Sequence, residues 1–172
     1  MTDVNSPRPI IVMGVQGSGK STIGRDLAAS LDRRFIDGDD LHTPEAKAKM
    51  ASGHPLTDDD RRPWLTRIAQ TIADALVTGD SIIVACSALK RQYRDLMRQI
   101  VPSLLFVHLS GSQELIAERL SQRNHEYMPQ TLLDSQFATL EPLEADEAGA
   151  VVDLSRTPDE IVGRIKKETG QR

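Results

Sequence analysis

A glycine-rich stretch at residues 14–21 constrains the fold of this chain more than any other part of the sequence. It reads G-V-Q-G-S-G-K-S and matches the pattern G-x-x-x-x-G-K-[ST], which is typical of phosphate-binding loops. The apolar residues 10–13 precede it as a buried strand, and Ile23, Leu27 and Leu31 follow at the spacing of one helix face. This order of strand, loop and helix predicts a binding site for the phosphates of a nucleotide.

The residue types of this loop suit the chemistry of a polyphosphate. Glycines have no Cβ, so the backbone can wrap closely around the anion, with its N–H groups and the helix N-terminus facing the negative charge. A lysine at this position reaches the β- and γ-phosphates, and the hydroxyl group that follows it is placed to bind Mg²⁺. The loop residues that we expect to bind are Gly14, Gly17, Ser18, Gly19, Lys20 and Ser21.

Composition and charge narrow the class of protein. The chain has 172 residues, which predicts one domain, and 39% hydrophobic residues, which is ordinary for a globular protein. Its net charge of −4 argues against general binding of nucleic acid. Cys86 is the only cysteine, so no internal disulfide can form, and the sequence shows neither an N-terminal signal core nor a membrane-spanning apolar run. We therefore expect a cytoplasmic protein that binds neither membrane nor nucleic acid.

Strand-like and helix-like segments alternate after the loop, which predicts an α/β fold of three layers. We expect five strands in one parallel sheet, with about seven helices covering both of its faces. In such a sheet, ligands bind at the carboxyl ends of the strands. Within this single domain, residues of about 43–77 are expected to form a helical insertion on the substrate side, and the arginine-rich connection of about 119–130 a mobile lid.

The second strand ends in an acidic turn, Asp37-Gly38-Asp39-Asp40. An enzyme that phosphorylates a hydroxyl group uses one carboxylate to accept or orient the proton and often a second one to hold the metal ion. Because Asp37 and Asp39 are two residues apart, an extended chain would place both on one side. The sequence does not decide which of them is the base and which binds metal, and a solvated acidic turn is the alternative. His42 would either hydrogen-bond a substrate hydroxyl or cap the helix that follows.

Basic residues occur in two further groups that suit a small carboxylate or a phosphate. Lys90 and Arg91 follow the third strand closely, which favours a functional role, whereas the adjacent Arg61 and Arg62 are more typical of a solvated helix face. Trp64, close to them in the sequence, is expected to be a packing anchor. The two groups comprise Lys47, Lys49, Arg61 and Arg62 in the insertion and Lys90, Arg91 and Arg94 after the strand.

Arg119 and Arg123 are four residues apart and would share one face if their helix continued. On a mobile lid they could cover ATP and neutralise the transferred phosphoryl group, although a surface helix end is the alternative. Two absences favour a small-metabolite kinase. The third strand does not end in the aspartate that holds Mg²⁺ in many P-loop ATPases, and the Asn-Lys-x-Asp sequence of GTPases is missing.

Several longer stretches cover nearly the whole chain and share their residues with a known family. They are residues 13–21, 37–42, 49–65, 85–95, 132–137 and 140–141. The stretches D-R-R-P-W-L at residues 60–65 and C-S-A-L-K at residues 86–90 are far more specific than the phosphate loop. The chain thereby resembles the thermoresistant-type gluconate kinases, which are P-loop kinases related to shikimate and adenylate kinases. This resemblance implies transfer of the γ-phosphoryl group of ATP to the 6-hydroxyl group of D-gluconate.

The resemblance also implies roles for residues around the nucleotide. By similarity to the shikimate kinases, Asp37 would lie near Mg²⁺, and Asp39, as the base, would lie near the reacting hydroxyl. Arg119 and Arg123 would cover ATP from the lid. The residues that would bind the phosphates of ATP and Mg²⁺ are Gly17, Gly19, Lys20, Ser21 and Thr22.

On the substrate side, Lys90 and Arg91 would face gluconate, with His42 and Arg62 as additions. The family usually has His-Phe shortly after the lid arginine, whereas His125 is displaced here by one position, which leaves its role open. Because family members are often dimers, the resemblance implies a homodimer, although the sequence itself sets no oligomeric state. The alternatives are a kinase for another small hydroxy acid such as shikimate, and a nucleotide-binding module without catalysis.

Overall fold

Five strands form one parallel sheet in the computed structural model of the chain, which describes residues 7–122 and 130–171. In chain order they are β1 (Ile10–Met13), β2 (Phe35–Asp37), β3 (Ile83–Ala85), β4 (Leu105–Ser110) and β5 (Gly149–Asp153). They lie side by side in the order β2-β3-β1-β4-β5, and every neighbouring pair is parallel. All five carboxyl ends therefore meet at one edge of the sheet, as the alternating sequence pattern predicts.

Seven α-helices and one 3₁₀ turn connect the strands within the described residues. They are α1 (Lys20–Leu31), the 3₁₀ turn (Gly38–Leu41), α2 (Pro44–Ala51), α3 (Asp58–Val77), α4 (Arg91–Ile100), α5 (Gln113–Ser121), α6 (Gln130–Thr139) and α7 (Pro158–Thr169). Four of the helices begin where a threonine or serine hydroxyl accepts a hydrogen bond from the N–H three residues on, which caps the helix. These capping residues are Thr43, Thr57, Ser112 and Thr157.

The hydrophobic core has two halves, one on each face of the sheet. Successive side chains of a strand point to opposite faces. Ile10 and Val12 of β1 accordingly pack with α1, α5 and α7, whereas Ile11 and Met13 pack with α3 and α4. Burial of each such side chain contributes about 1.5–3 kcal/mol. The prediction of helices on both faces of the sheet is confirmed.

The acidic turn differs from the predicted extended chain. The backbone after Asp37 coils at once into the 3₁₀ turn, and Asp37 caps that turn by accepting a hydrogen bond from the N–H of Asp39 at 3.0 Å. A short aspartate side chain at a turn start competes well for the next free N–H groups. The expectation that Asp37 and Asp39 share one side of an extended strand is therefore wrong.

The sequence predicts that Arg119 and Arg123 share one face of a continuing helix, but the helix that carries Arg119 is too short for this. Helix α5 ends at Ser121, so it does not continue to Arg123. Arg123, His125 and most of the predicted lid lie outside the described residues, and the lid remains a prediction. Within residues 7–122 and 130–171, no helix combines the length and the apolar character needed to cross a membrane.

Candidate functional site

The phosphate loop connects β1 to α1 at the carboxyl edge of the sheet. Gly17 and Gly19 have φ angles of 84° and 92°, a region of the backbone map that favours glycine. A Cβ on Gly17 would also lie 2.7 Å from Cγ of Leu120, so the loop packs against the end of α5. Gly19 caps α1 without a side-chain hydrogen bond, which leaves the first N–H groups of the helix available to an anion.

Side chains around the loop fix its conformation. Lys20 Nζ donates a hydrogen bond to the carbonyl oxygen of Val15 at 3.0 Å, and so folds back over its own loop. The backbone N–H of Gln16 donates to Oε1 of Gln136 on α6 at 2.6 Å. The sequence reasoning missed Gln136, although it lies in one of the stretches that carry the family resemblance. The loop is thus held in place by α6, the helix that follows the predicted lid.

The start of α1 and the end of β2 touch through Ser21 and Asp37. The Ser21 hydroxyl donates a hydrogen bond to Oδ2 of Asp37 at 3.1 Å. A hydroxyl and a carboxylate oxygen are hard ligands that suit Mg²⁺, which usually takes only one or two protein ligands and completes its shell with water and phosphate oxygens. In the described residues, no group of three or more His, Cys, Asp or Glu side chains is arranged to hold a metal ion by itself. The donor set therefore fits a magnesium ion shared with a nucleotide.

Asp39 follows on the 3₁₀ turn, with 83% of its side chain exposed. Partial removal from water in the concave site raises the pKa of this carboxyl, the neighbouring Asp37 raises it further, and Lys20 opposes the change. Solvent damps these effects because the side chain is so exposed. The effect of Lys20 on this pKa still indicates that Asp39 lies within electrostatic reach of Lys20. The phosphate loop and the acidic turn therefore lie at the same edge of the sheet, as their positions after parallel strands predict.

His42 and Trp64 form the wall next to Asp39. Their rings stack with centroids 4.0 Å apart and planes 15° apart, and Trp64 Nε1 donates to the carbonyl oxygen of Gly38 at 2.8 Å. Trp64 is thus the packing anchor that the sequence predicts. His42 does not cap α2, because Thr43 does so, and that alternative is wrong. His42 Nε2 instead lies 4.0 Å from Oδ1 of Asp39, while burial lowers the pKa of the imidazole.

The basic residues after β3 do not form the single convergent group that their spacing suggests. Lys90 Nζ lies 3.0 Å from Oδ1 of Asp58, at the start of α3. Arg91 donates to both carboxylate oxygens of Asp146 at 2.7 Å. Arg94 is completely buried and forms an ion pair with Glu147, 2.7 Å from Nε to Oε1. Its predicted place in an open anion site is therefore wrong.

The two neighbouring arginines of α3 point in different directions. Arg62 is exposed and lines a groove of about 310 Å³ between α3 and α4, together with Asp95 and Gln99. Arg61 is half-buried, and its Nη1 donates to the hydroxyl of Tyr93 at 3.0 Å. The sequence reasoning named Arg62 for the substrate site and gave Arg61 no specific role.

On the nucleotide side, Arg119 is tied to the end of β5. Its Nη2 donates to the carbonyl oxygen of Leu154 at 2.6 Å. Its predicted partner over ATP, Arg123, lies outside the described residues. Of the remaining predicted loop residues, Gly14 and Ser18 are buried and Thr22 is exposed on the first turn of α1.

Comparisons with known proteins show which family the chain resembles. The sequence model of the AAA domain family matches residues 10–143. A probable gluconokinase of Xenopus tropicalis is 39% identical over 178 residues, which cover 95% of this chain and 94% of that protein. The thermosensitive gluconokinase of Escherichia coli strain K12 is 45% identical over 141 residues, covering 82% of this chain and 75% of its own. The crystal structure of a gluconokinase from Sinorhizobium meliloti 1021 superposes with a TM-score of 0.88 at 43% identity, covering 96% and 93% of the two chains.

Proposed function

Because the chain belongs to the gluconokinase family of P-loop kinases, we propose that it transfers the γ-phosphoryl group of ATP to the 6-hydroxyl group of D-gluconate, giving 6-phospho-D-gluconate. The observation that carries the proposal is the contact between Ser21 and Asp37, which joins the phosphate loop to the acidic turn. Asp39 lies beside this contact, exposed and within electrostatic reach of Lys20. A phosphate donor and a hydroxyl acceptor would meet there.

The phosphate loop would hold ATP by its backbone. The N–H groups of residues 17–22 would surround the phosphates, and Lys20 would exchange the carbonyl oxygen of Val15 for phosphate oxygens. Ser21 and Asp37 would hold the magnesium ion. When bound, Mg²⁺ neutralises charge on the β- and γ-phosphates. These residues contribute positioning and charge neutralisation, which account for most of the catalysis in phosphoryl transfer.

Asp39 would be the base that accepts the proton of the 6-hydroxyl group. Both oxygens of Asp37 are already hydrogen-bonded, one to Ser21 and one to the N–H of Asp39. The Asp39 carboxylate is the one that faces solvent, where an acceptor molecule would enter. The raised pKa of Asp39 is also closer to the pKa of the substrate hydroxyl group whose proton Asp39 must orient. We therefore assign the base to Asp39 and the metal to Asp37.

The remaining site residues and the assembly stay predictions. His42, which is stacked on Trp64 beside Asp39, would contact the substrate hydroxyls. Lys90 and Arg91 would have to leave carboxylate partners to face gluconate. The segment of about 119–130 would act as the lid over ATP, with Arg119 and Arg123, and α2 and α3 would form the substrate side. We further propose a cytoplasmic homodimer with Mg²⁺ as the cofactor.

A coupled assay of ADP release tests the proposal. Purified protein with MgATP is offered D-gluconate, other sugar acids and shikimate, and the product is identified by phosphorus NMR. We expect turnover of gluconate and a phosphate ester at carbon 6. Turnover of shikimate without turnover of gluconate would contradict the substrate, and binding of ATP without turnover of any acid would favour a nucleotide-binding module.

A further inference from the structure

Arg61 combines partial burial with the lack of an acidic partner, whereas Lys47 and Arg62, which also form no ion pair in the described part of the chain, are exposed. Lys49 lies 2.6 Å from Asp60, and Lys90 lies 3.0 Å from Asp58. Arg91 is held by Glu144 and Asp146 at 2.6 and 2.7 Å. Within the described part of the chain, Arg61 makes no ion pair, although it is half-buried. A partly desolvated arginine without a counter-charge in the protein favours an anionic ligand.

The guanidinium group of Arg61 is oriented but far from saturated. It lies over the ring of Tyr93, 5.8 Å from the ring centre, and Nη1 donates to the Tyr93 hydroxyl at 3.0 Å. A guanidinium group has five N–H donors in a planar fork. In residues 7–122 and 130–171, no other hydrogen bond uses them. The tyrosine thus fixes the side chain while enough donors remain to bind a carboxylate through both oxygens.

The helix geometry explains why Arg61 rather than Arg62 faces the site. Arg61 lies three residues before Trp64, so the two side chains share one face of α3. Trp64 is anchored on Gly38 at the 3₁₀ turn and stacked on His42. Arg62 is turned away by about 100° and is exposed toward the groove with Asp95 and Gln99.

Arg61 also lies on the same side of the site as the proposed base. Burial lowers the pKa of His42, Asp39 raises it, and the charges of Lys47 and then Arg61 lower it further, so Asp39 and Arg61 are both within electrostatic reach of the imidazole. His42 in turn lies 4.0 Å from Asp39. Asp39 and Arg61 are thus both near His42. An acid with its last hydroxyl at Asp39 could therefore bring its carboxylate end toward Arg61.

The side chains next to Arg61 already bind one carboxylate. Asp58 accepts hydrogen bonds from the Tyr93 hydroxyl, from Lys90 Nζ at 3.0 Å and from Gln92 Nε2 at 3.1 Å. These donors lower the pKa of Asp58 to about 2. The charge of Lys90 is therefore satisfied within the protein, and the neighbouring charge of Arg61 is left for a ligand.

We propose that Arg61 binds the carboxylate of the substrate and thereby selects a sugar acid over the neutral polyol of the same chain length. This inference rests on the proposed function and adds a residue to it. Tyr93 acts as a positioning residue, because it orients the guanidinium group.

Steady-state kinetics of Arg61→Met test the inference, with Arg67→Met, at an exposed arginine of the same helix, as the control. We measure KM for the acid and for ATP, and the inhibition constant of glucitol, which lacks the carboxylate. Loss of a bidentate arginine should raise KM for gluconate by about 100-fold or more. KM for ATP and the inhibition constant of glucitol should stay within about twofold, because neither contact involves a carboxylate. Arg67→Met should leave all three constants close to those of the wild type.

A second variant keeps the test valid if Arg61→Met folds poorly. Arg61→Lys retains the charge without the planar fork, so it should recover only part of the affinity for gluconate. The inference is overturned if Arg61→Met and Arg67→Met have the same effect on KM for the acid, or if Arg61→Met weakens the binding of glucitol as much as that of gluconate. Failure of the proposed function would give a different result, because the wild-type enzyme would then phosphorylate another acid. The same pair of variants would be compared on that acid.

Discussion

Two clusters of charged side chains in this molecule are organised in opposite ways. The closed cluster consists of Arg94, Arg98 and Glu147, and the open cluster of Lys20, Asp37, Asp39 and Arg61. In the closed cluster the Arg94 and Glu147 side chains have no exposed surface, and Arg98 Nη2 lies 2.8 Å from Oε1 of Glu147. In the open cluster 83% of the Asp39 side chain is exposed and Arg61 has no carboxylate partner within the described residues.

The difference follows from the cost of burying charge. A buried ion loses several kcal/mol of hydration, and it is tolerated when nearby partners replace the water. Every nitrogen of Arg94 donates a hydrogen bond, and both carboxylate oxygens of Glu147 accept at least two. The Arg94–Glu147 pair therefore has nothing left for a ligand and serves the fold. The open cluster keeps its binding capacity because water can solvate it until a substrate arrives.

The largest expected effect concerns catalysis in the open cluster. Replacing Asp39→Asn removes the proposed base without changing the size of the side chain, so kcat should fall by about 10³-fold. The affinity for ATP and the thermal midpoint should change little, because Asp39 is exposed and ATP contacts the loop. Asp40→Asn, at the exposed neighbour, is the control and should keep kcat near that of the wild type. Equal losses in both variants would count against a specific base.

In the closed cluster, Glu147→Gln should affect stability and spare chemistry. The substitution leaves Arg94 buried without its counter-charge, so the free energy of unfolding should fall by about 3–4 kcal/mol. The control is Glu144→Gln, at a side chain that is 63% exposed beside Arg91 and whose loss should cost less than about 1 kcal/mol. Denaturant unfolding measures both. Unchanged stability in Glu147→Gln, or loss of kcat in its folded form, would remove the distinction between the two clusters.

Acid should destabilise the closed cluster over a defined pH range. Burial alone would raise the pKa of Glu147, but its hydrogen bonds with Arg94, the N–H of Glu144 and Arg98 outweigh this and lower the pKa from 4.5 to about 2. The unfolded chain therefore binds the proton first as the pH falls. The contribution of Glu147 is fully present above about pH 5 and is lost between about pH 4.5 and 2, by up to about 3 kcal/mol. Unfolding curves of wild type and Glu147→Gln across this range should converge at low pH; parallel curves would refute the assignment.

The smallest effect is expected at the contact between α6 and the phosphate loop. Gln136→Ala removes the acceptor for the N–H of Gln16, one hydrogen bond of about 1 kcal/mol. KM for ATP should rise by about threefold to fivefold, because the loop becomes less ordered before ATP binds. Ser135→Ala, at the exposed neighbour on α6, should leave KM unchanged. A lower KM for ATP in Gln136→Ala would mean that the glutamine competes with the phosphates.

The sequence predicts the fold well because its signals are local. The glycine-rich loop needs only eight adjacent residues, and the strands appear as short apolar runs such as residues 10–13. The parallel order follows from alternation of these runs with helices. The same local reasoning places Lys20, Ser21, Asp37 and Asp39 at one edge of the sheet.

What the sequence does not predict depends on distant contacts. In the sequence, Arg94 belongs to a basic group, because its partner Glu147 comes 53 residues later and their contact is apparent only in the structure. Arg61 and Arg62 carry the same charge at adjacent positions, so the sequence does not distinguish them. The packing of α3 on His42 through Trp64 decides which of them faces the site. The 3₁₀ turn after β2 depends on the aspartate cap, which a strand pattern does not reveal.

A crystal structure with Mg²⁺, a non-hydrolysable ATP analogue and D-gluconate tests most directly whether the open cluster is the place of phosphoryl transfer. The account predicts the 6-hydroxyl oxygen within about 3 Å of the Asp39 carboxylate, the γ-phosphate beside Lys20, and the substrate carboxylate on Arg61. Gluconate bound away from the 3₁₀ turn, with its 6-hydroxyl group out of reach of both Asp39 and the γ-phosphate, would contradict it.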